Sequence, residues 1–268
     1  MHLESIEQIT AQYRGIYLQP HFDDAALSCG GALGVQRLAG MRTLVVTVFG
    51  GAPPAGTAIS PFATQNLQRM GLSLDPRQAV EQRREEDAAA LELLGADTLW
   101  LDYPDAIFRG APPFYASEEA LFGTVNSGDL DVDSELAMLV SHIHELAPLA
   151  VIYAPLGVGH HVDHQLCCSA ADRLAQQKIN VKFYEDFPYV ARAGALAARQ
   201  QDLGISMEPE WVEISGVMRT KEEAIARYGS QVPQLFQGED RMRQAVRDYS
   251  SSLRRAYPGI QVERYWNW

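Results

Sequence analysis

Residues 15–34 read GIYLQPHFDDAALSCGGALG and predict a buried strand that runs directly into a helix. The opening run is apolar, with β-branched and aromatic side chains, and it is interrupted at Pro20, as is typical of a strand end. From Asp24 onward the chain is rich in Ala, Leu and Gly, which favours a helix. His21, Asp23 and Asp24 lie at the junction, so this turn carries three polar side chains that can do chemistry.

Four more strand-like runs follow along the chain, each with Gly, Pro or Asp at its end. They are RTLVVTVFG, DTLWLDY, LAVIYAPLG and INVKFYEDF, at residues 42–50, 97–103, 149–157 and 179–187. Helical patterns separate the strands, at residues 24–40, 76–95, 133–148 and 162–178. Strands separated by helices predict an α/β fold, with a Rossmann-like, mostly parallel sheet covered on both faces as three layers, α/β/α.

The rest of the chain gives weaker patterns. EWVEISGV at residues 210–217 fits a late strand, and KEEAIARYGSQ at 221–231 fits a helix. The stretch FGGAPPAGTAISPFATQ at 49–65 predicts a long Gly/Pro loop, a kind of loop that is often functional, and we expect it to shape a pocket. Since no repeat or linker interrupts the pattern, we expect one domain over residues 1–268, with the aromatic tail ERYWNW packed against it.

Composition excludes several classes of function. The chain has 268 residues, 47% of them hydrophobic, which is enough for a large buried core. The 34 acidic and 22 basic residues give a net charge of -12 without a basic stripe, so nucleic acid is not expected as a partner. The sequence shows neither a signal-peptide pattern nor a membrane span, and its three cysteines suit neither a disulfide framework nor a zinc ribbon. We therefore expect a cytoplasmic protein with buried thiols.

A second polar cluster, GHHVDH at residues 159–164, follows the strand at 149–157. It places three histidines and an aspartate at the end of another strand of the predicted sheet. Because ligands bind at the carboxyl ends of strands in such sheets, we expect this cluster and the one at residues 21–24 to meet. A helix cap and a solvated loop would explain each cluster alone, but the two together favour a metal site.

The residue types suit a catalytic zinc site. Such a site takes three ligands from His, Asp or Glu and leaves a fourth position for water. Adjacent aspartates diverge, so one can bind the metal while the other serves as general base for a water whose pKa is lowered to about 7. His161 and His164 are three residues apart on one helical face, so one can bind metal while the other faces the substrate.

These motifs, PHFDDAAL at 20–27 and HVDH at 161–164, resemble those of the LmbE-like or PIG-L family of metal-dependent de-N-acetylases. Weaker agreement lies in RREEDAAALELLG at 83–95, in DYPDA at 102–106 and in KEEAIARYGSQ. The resemblance therefore covers residues 15 to about 231. It implies the Rossmann-like fold already expected from the alternation of strands and helices.

The resemblance also implies the roles of the motif residues. It implies one zinc ion per chain, or another divalent metal, held by His21, Asp24 and His164. Asp23 is implied as the catalytic base. His161, protonated, is implied to stabilise the oxyanion or to protonate the leaving amine. The implied reaction is hydrolysis of an N-acyl group, with N-acetyl as the expected case, from an amino-sugar conjugate such as one of N-acetylglucosamine.

The substrate contacts are less well marked. We expect Arg83, Asp105, Tyr228 and Gln231 to contact the substrate, although a helix-surface ion pair, a turn or a helix end would explain them equally well. Some family members place a tyrosine where this chain has Gly159, and it can polarise the substrate carbonyl. A second group that stabilises the oxyanion is therefore left open in this sequence.

Two other functions fit the same residues. One is a sugar- or nucleotide-binding module with a structural metal ion and no turnover. GGALG lacks the start of a dinucleotide fingerprint, and a structural site has no need of the spare carboxylate of Asp23. The other is a different metallohydrolase, but two-metal enzymes need more bridging carboxylates than these clusters offer. The sequence leaves a homo-oligomer open.

Overall fold

The computed structural model describes residues 1–254 and 259–268. Eight strands lie in these residues: β1 His2–Leu3, β2 Gly15–Gln19, β3 Thr43–Thr47, β4 Asp97–Trp100, β5 Val151–Pro155, β6 Val181–Tyr184, β7 Glu208–Glu213 and β8 Val262–Asn267. They form one sheet in the order β1-β4-β3-β2-β5-β6-β8-β7. All pairs from β1 to β6 are parallel, and β8 pairs antiparallel with both β6 and β7.

The centre of the sheet determines where a ligand can bind. Strand β2 pairs with β3 on one side and with β5 on the other. The chain thus leaves β2 toward one edge of the sheet and returns later to build the other half. A crevice opens at such a switch point, outside the carboxyl ends of the two strands. The two polar motifs follow β2 and β5, so both reach this crevice.

Ten α-helices lie in the described residues: α1 Asp24–Leu38, α2 Pro61–Arg69, α3 Pro76–Leu94, α4 Glu118–Leu121, α5 Leu130–Leu146, α6 Val162–Ala175, α7 Ala195–Leu203, α8 Met218–Ile225, α9 Val232–Phe236 and α10 Glu239–Ser252. Helices α1, α3 and α8 pack together, and α5 packs on α6. Because parallel crossovers are right-handed, α1 and α6, which follow β2 and β5, cover opposite faces of the sheet. The predicted three-layer α/β fold is confirmed.

Helix α3 shows how closely local chemistry defines an element. The Asp75 side chain accepts a hydrogen bond from the backbone N–H of Arg77, and Pro76 occupies the first helical position. Gly95 ends the helix with φ of 73°, a left-handed conformation that favours glycine. These signals explain why the sequence predicts this helix to within one residue.

Two of the weaker patterns differ from the structure. The predicted loop at 49–65 ends earlier, because Ser60 caps helix α2 and a proline follows it at the first helical position. The predicted helix at 221–231 begins and ends earlier than expected, as α8. Tyr228 and Gln231 therefore lie beyond the end of that helix.

The largest cluster of buried apolar side chains runs from Leu3 in β1 to Trp266 in β8, and two smaller clusters, around Ala63 and around Leu67, accompany it. One domain over residues 1–268 stays a prediction. The aromatic tail is strand β8, with Tyr265 1% exposed and Trp266 8% exposed, so the packing interpretation of the tail is correct. The free thiols, all buried as expected, are Cys29, Cys167 and Cys168. Within the described residues, no helix has the length and apolar character needed to cross a membrane.

Candidate active site

The first motif forms the short connection between β2 and α1. Buried Gln19, the last residue of β2, fastens this connection. Its amide oxygen accepts from the backbone N–H of Ala25 at 3.0 Å, and its amide nitrogen donates to Thr47 Oγ1 at 2.8 Å. Asp23 has φ of 110°, a strained conformation for a residue with a side chain. Strain that buried neighbours maintain is typical of functional sites.

The second motif connects β5 to α6. His161 occupies the N-cap position of α6, where its Nδ1 accepts from the backbone N–H of Asp163 at 3.2 Å. Burial and the neighbouring His21 ring lower the pKa of His161 well below its usual value. Since Nδ1 accepts this hydrogen bond, Nε2 is the nitrogen that can carry the ring proton. His164 lies in the first turn of the same helix and is 2% exposed.

The two motifs meet at the carboxylate of Asp24. Its Oδ2 lies 3.7 Å from Nδ1 of His21 and 3.5 Å from Nε2 of His164. Zinc–ligand bonds of about 2.0–2.1 Å separate the donor atoms of a tetrahedral site by about 3.4 Å. Each histidine nitrogen is thus close to that separation from the Asp24 oxygen. Two imidazoles and one carboxylate are also a donor set that zinc accepts.

The same region offers other ligand combinations. Two groups of side chains have ligand atoms within 4.8 Å of one another: His21, His161 and His164, and His21, Asp105 and Asp163. His161 is thus close enough either to bind a metal or to face a substrate beside it. These two roles of His161 predict different results for a variant that lacks this side chain. The variant should lose the metal if His161 is a ligand and keep the metal if His161 faces the substrate.

Two buried carboxylates bind the two histidine rings at the ring nitrogens that do not face Asp24. Asp163 Oδ2 lies 2.9 Å from His21 Nε2, and Asp186 Oδ1 lies 2.7 Å from His164 Nδ1. Each ring can donate this N–H and keep its other nitrogen toward Asp24, an arrangement common behind metal-ligating histidines. Burial lowers the pKa of His164, but Asp24 and Asp186 outweigh burial and raise it to about 9.

Asp163 is itself neutralised by a buried arginine. Arg109, 7% exposed, lies 2.6 Å from Asp163 Oδ1 and also pairs with Asp129 at 2.8 Å. Burial raises the pKa of Asp163, but Arg109 and His21 outweigh burial and hold that pKa well below its usual range. Asp163 is therefore a permanent acceptor for the His21 ring. Sequence reasoning missed Arg109, because a single arginine in a loop gives no signal.

Asp23 lies at the N-cap position of α1, but its side chain makes no capping hydrogen bond. The interpretation of this residue as a helix cap is therefore wrong. Asp23 is 6% exposed and lines the cavity described below. Burial and the adjacent charge of Asp24 raise the pKa of Asp23 to about 8, while Arg83 opposes the increase. An uncommitted carboxylate beside a candidate metal site is what a general base requires.

A cavity of about 390 Å³ opens over the two motifs. The predicted site residues on its wall are His21, Asp23, Asp24, Arg83, Asp105, His161, His164 and Gln231. Its aromatic walls come from other elements, as Phe62, Phe122, Phe187 and Tyr189. From the predicted loop at 49–65, Phe62 lines the cavity, and helix α2 adds Asn66 and Arg69 from beyond that loop.

Arg83 and Asp105 lie together at one side of the cavity. Arg83 Nη2 donates to the backbone oxygen of Phe22 at 3.1 Å, and its Nη1 lies 3.8 Å from Asp105 Oδ2. The other Asp105 oxygen accepts from the backbone N–H of Ile107 at 3.2 Å, as in the turn that the sequence also allowed. Asp105 Oδ2 is 3.8 Å from Nε2 of His21, so this side of the cavity borders the candidate metal site.

Tyr228 does not line the cavity, contrary to expectation. It is 1% exposed, and its hydroxyl donates to Asp87 Oδ1 at 3.0 Å. Asp87 also accepts from Gln19 at 3.1 Å, so the tyrosine belongs to the scaffold that holds the first motif. The physical reason is that α8 ends early and the chain turns inward at Tyr228. Gln231 does line the cavity, with its Nε2 3.3 Å from Met70 Sδ.

Tyr189 lines the cavity beside the second motif, and sequence reasoning missed it. It begins a short 3₁₀ helix that follows β6. The centroid of its ring lies 6.1 Å from that of His164, at an interplanar angle of 90°. Burial, and then the charges of Asp24 and Asp23, raise the pKa of Tyr189, so its hydroxyl stays protonated. Tyr189 follows a strand of the parallel sheet, so its position at the carboxyl-end edge of that sheet, where both motifs lie, could have indicated it from the sequence.

Two curated relatives are similar to this chain over much of its length. A 2'-N-acetylparomamine deacetylase from Niallia circulans is 33% identical over 187 residues, which are 65% of this chain and 66% of that protein. A protein of the same name from Streptomyces fradiae is 32% identical over 222 residues, which are 81% of this chain and 73% of that protein. Both relatives are named as deacetylases of an N-acetylated amino sugar.

A solved structure and a family match agree with these relatives. Teicoplanin deacetylase Orf2, in its zinc inhibited form, is 27% identical with a TM-score of 0.79, over 94% of this chain and 97% of that one. The family PIG-L, described as GlcNAc-PI de-N-acetylase, matches residues 16–175, which include both motifs. Since that match covers more than half of the 268 residues, this chain belongs to the PIG-L family.

Proposed function

We propose that this chain is a metal-dependent hydrolase that removes an N-acyl group, with N-acetyl as the expected case, from an amino-sugar conjugate. One observation supports the proposal: His21 and His164, from the two motifs, each lie within 3.7 Å of the Asp24 carboxylate, and the uncommitted carboxylate of Asp23 lines the same cavity. The substrate class is supported by relatives named as deacetylases of 2'-N-acetylparomamine and of teicoplanin.

His21, Asp24 and His164 are the residues that would hold the ion, with Asp163 and Asp186 orienting the two rings. A bound zinc ion would supply Lewis acidity for the carbonyl and would lower the pKa of a bound water to about 7. The relative Orf2 is described in a zinc inhibited form, so excess zinc has to be tested as an inhibitor as well as a cofactor.

In the proposed reaction, Asp23 carries the proton and His161 stabilises the negative oxygen. Asp23 takes a proton from the attacking water, which adds to the carbonyl carbon of the N-acyl group. The Nε2–H of neutral His161 donates a hydrogen bond to the oxygen that becomes negative. The amine then leaves with the proton held by Asp23 as the C–N bond breaks. The products are a carboxylate and a free amine on the sugar.

The proposal is tested by a deacylation screen. Metal-free protein is titrated with zinc, and in parallel with cobalt and manganese, from zero to excess over one equivalent. Each sample is offered N-acetylglucosamine, its glycosides, N-acetylated aminoglycosides and N-acylated sugar conjugates. We expect release of acetate and of a free amine in equal amounts, dependent on added metal. Asp102→Asn, at a side chain that is 92% exposed, is the matched control and should keep full activity.

Two results would contradict this function. Binding of metal and sugar without release of any carboxylate would instead identify a binding module with a structural ion. Full activity in metal-free, chelator-treated protein would contradict the role of His21, Asp24 and His164.

A further inference from the structure

The site described so far gives the substrate oxygen one hydrogen-bond donor from the protein, at His161. Oxyanion sites in acyl transfer usually hold the oxygen with more than one positioned donor or charge. Gly159, next to the second motif, has no side chain to offer. A donor on the cavity wall that makes no hydrogen bond within the fold could serve this oxygen.

Tyr189 lies beside the second motif, in contact with residues of the cavity wall. The backbone N–H of Val190 donates to the backbone oxygen of Asp186 at 3.0 Å, and the Asp186 side chain holds the ring of His164. The Tyr189 ring also meets the ring of Phe122 at a centroid distance of 5.8 Å, in an edge-to-face arrangement. The ring thus lies between the second motif and the cavity wall.

The hydroxyl of Tyr189, a half-buried residue on the cavity wall, has no hydrogen-bond partner among the described residues. Seven tyrosines donate their hydroxyl hydrogen to another residue: Tyr13, Tyr17, Tyr115, Tyr184, Tyr228, Tyr249 and Tyr265. Within residues 1–254 and 259–268, nothing pairs with the hydroxyl of Tyr189. A buried or half-buried tyrosine usually finds a partner, so an unpaired one that lines a cavity points to a ligand.

Gly159 makes room for this ring. It has φ of 94°, and a Cβ atom built on it would lie 2.9 Å from Cβ and Cγ of Tyr189. Real Cβ atoms do not approach this closely, so a side chain at 159 and the observed place of Tyr189 exclude each other. The chain therefore fills this part of the cavity from the segment after β6 rather than from the segment before α6.

We propose that Tyr189 is a catalytic residue, whose hydroxyl donates a hydrogen bond to the acyl oxygen of the substrate and holds it as the oxygen becomes negative. This inference rests on the proposed function. The tyrosine transfers no proton, so the balance of the reaction is unchanged. Together with the Nε2–H of His161, it gives the oxygen two donors from the protein, supplied by two different segments that line the cavity.

The test compares Tyr189→Phe with the wild-type protein on the best substrate of the screen. Removal of one oxyanion donor is expected to lower kcat about 100- to 1000-fold, with KM and metal content little changed. Because this hydroxyl has no partner among the described residues, the melting temperature should not fall. Tyr13→Phe is the matched control: it removes a hydroxyl bonded to Asp97, away from the cavity, and should leave kcat unchanged.

A binding measurement gives a second readout. The probe is the methylphosphonamide analogue of N-acetylglucosamine, whose tetrahedral phosphorus carries an oxygen in place of the oxyanion. We expect Tyr189→Phe to weaken this analogue at least tenfold and to leave the affinity for glucosamine, the amine product, within twofold.

The outcomes separate the two proposals. An active wild-type protein with kcat of Tyr189→Phe within threefold would overturn the role of Tyr189 and leave the proposed function intact. Equal weakening of analogue and product would also overturn it, since it would indicate a general role in binding. A wild-type protein without any deacylation would overturn both.

Discussion

The Oδ2 atom of Asp163 lies 2.9 Å from Nε2 of His21, although the two residues are 142 positions apart in the sequence. Asp163 precedes His164, so one turn of α6 supplies both a candidate metal ligand and the carboxylate that orients the ligand of the other motif. The contact joins the segments that follow β2 and β5, two strands that pair in the sheet. The candidate site is thus a product of the folded sheet and not of either motif alone.

The first prediction concerns this contact. Asp163→Asn should lower the affinity for the activating metal about 10- to 100-fold, because the loss of the negative charge makes His21 a weaker ligand. The affinity is measured by competition with a chromophoric chelator. Asp131→Asn, on the exposed surface of α5, is the control. An unchanged affinity in a folded Asp163→Asn protein would contradict an orienting role for this carboxylate.

The second prediction separates the two candidate ligand sets. Asp24→Asn should lose the metal, because its Oδ2 lies between the free nitrogens of His21 and His164. His161→Asn should retain about one ion per chain and lose turnover. Metal content after gel filtration, measured by mass spectrometry, checks both variants. Loss of the ion from His161→Asn, with retention in Asp24→Asn, would establish the three histidines as the ligands instead.

The third prediction isolates the general base. Asp23→Asn keeps the volume of the side chain but cannot accept the proton of the water, so kcat should fall at least about 100-fold. Metal content should not change, because Asp23 is not a proposed ligand. Steady-state kinetics and metal analysis on the same preparation check both statements. Turnover at the wild-type rate would rule out this residue as the base.

The sequence predicts the parts of this molecule whose signals are local. The strand-to-helix junction at residues 15–34 and the caps of α3 are readable because apolar periodicity, Pro and Gly act within a few residues. The meeting of the two motifs follows from a general rule for parallel sheets. Tyr228 was misplaced, because the point at which α8 ends depends on packing against α1 and α3.

The roles of three residues could not be predicted from the sequence: Arg109, Asp186 and Tyr189. Each lies beside a residue that is distant along the chain: Asp163 for the arginine, and His164 for Asp186 and Tyr189. A lone residue in a loop carries no pattern, so its role appears only when the fold supplies its neighbour. Gln19 is similar, since a buried glutamine at a strand end becomes meaningful only beside Asp87 and Thr47.

The fourth prediction tests the structural role of Tyr228. Its hydroxyl donates to the buried carboxylate of Asp87, so Tyr228→Phe should lower the free energy of unfolding by about 1.5–3 kcal/mol and leave KM unchanged. Burial raises the pKa of Asp87, and hydrogen bonds from Trp100, Gln19 and Tyr228 oppose this increase. Loss of one of these donors should therefore raise that pKa further.

The sign of the pH dependence follows from this change. A folded pKa above the unfolded value of about 3.9 means that stability falls as the pH rises between the two values. Because Tyr228→Phe raises the folded pKa of Asp87, the variant should lose more stability at pH 8 than at pH 4.5. Urea unfolding of both proteins at the two pH values measures the difference. An equal loss at both would show that the hydrogen bond does not favour the charged carboxylate.

The fifth prediction concerns Gln231, which lines the cavity, whereas Tyr228 does not. Gln231 lines the cavity, and its amide nitrogen bonds only to Ser230 Oγ at 2.9 Å and to Met70 Sδ among the described residues. Gln231→Ala should therefore raise KM several-fold, with little change in the free energy of unfolding. A rise in KM for Gln231→Ala with an unchanged KM for Tyr228→Phe would show that Gln231 contacts the substrate and that Tyr228 has a structural role. The opposite pattern would place the substrate against Tyr228 and would require a cavity that opens past Asp87.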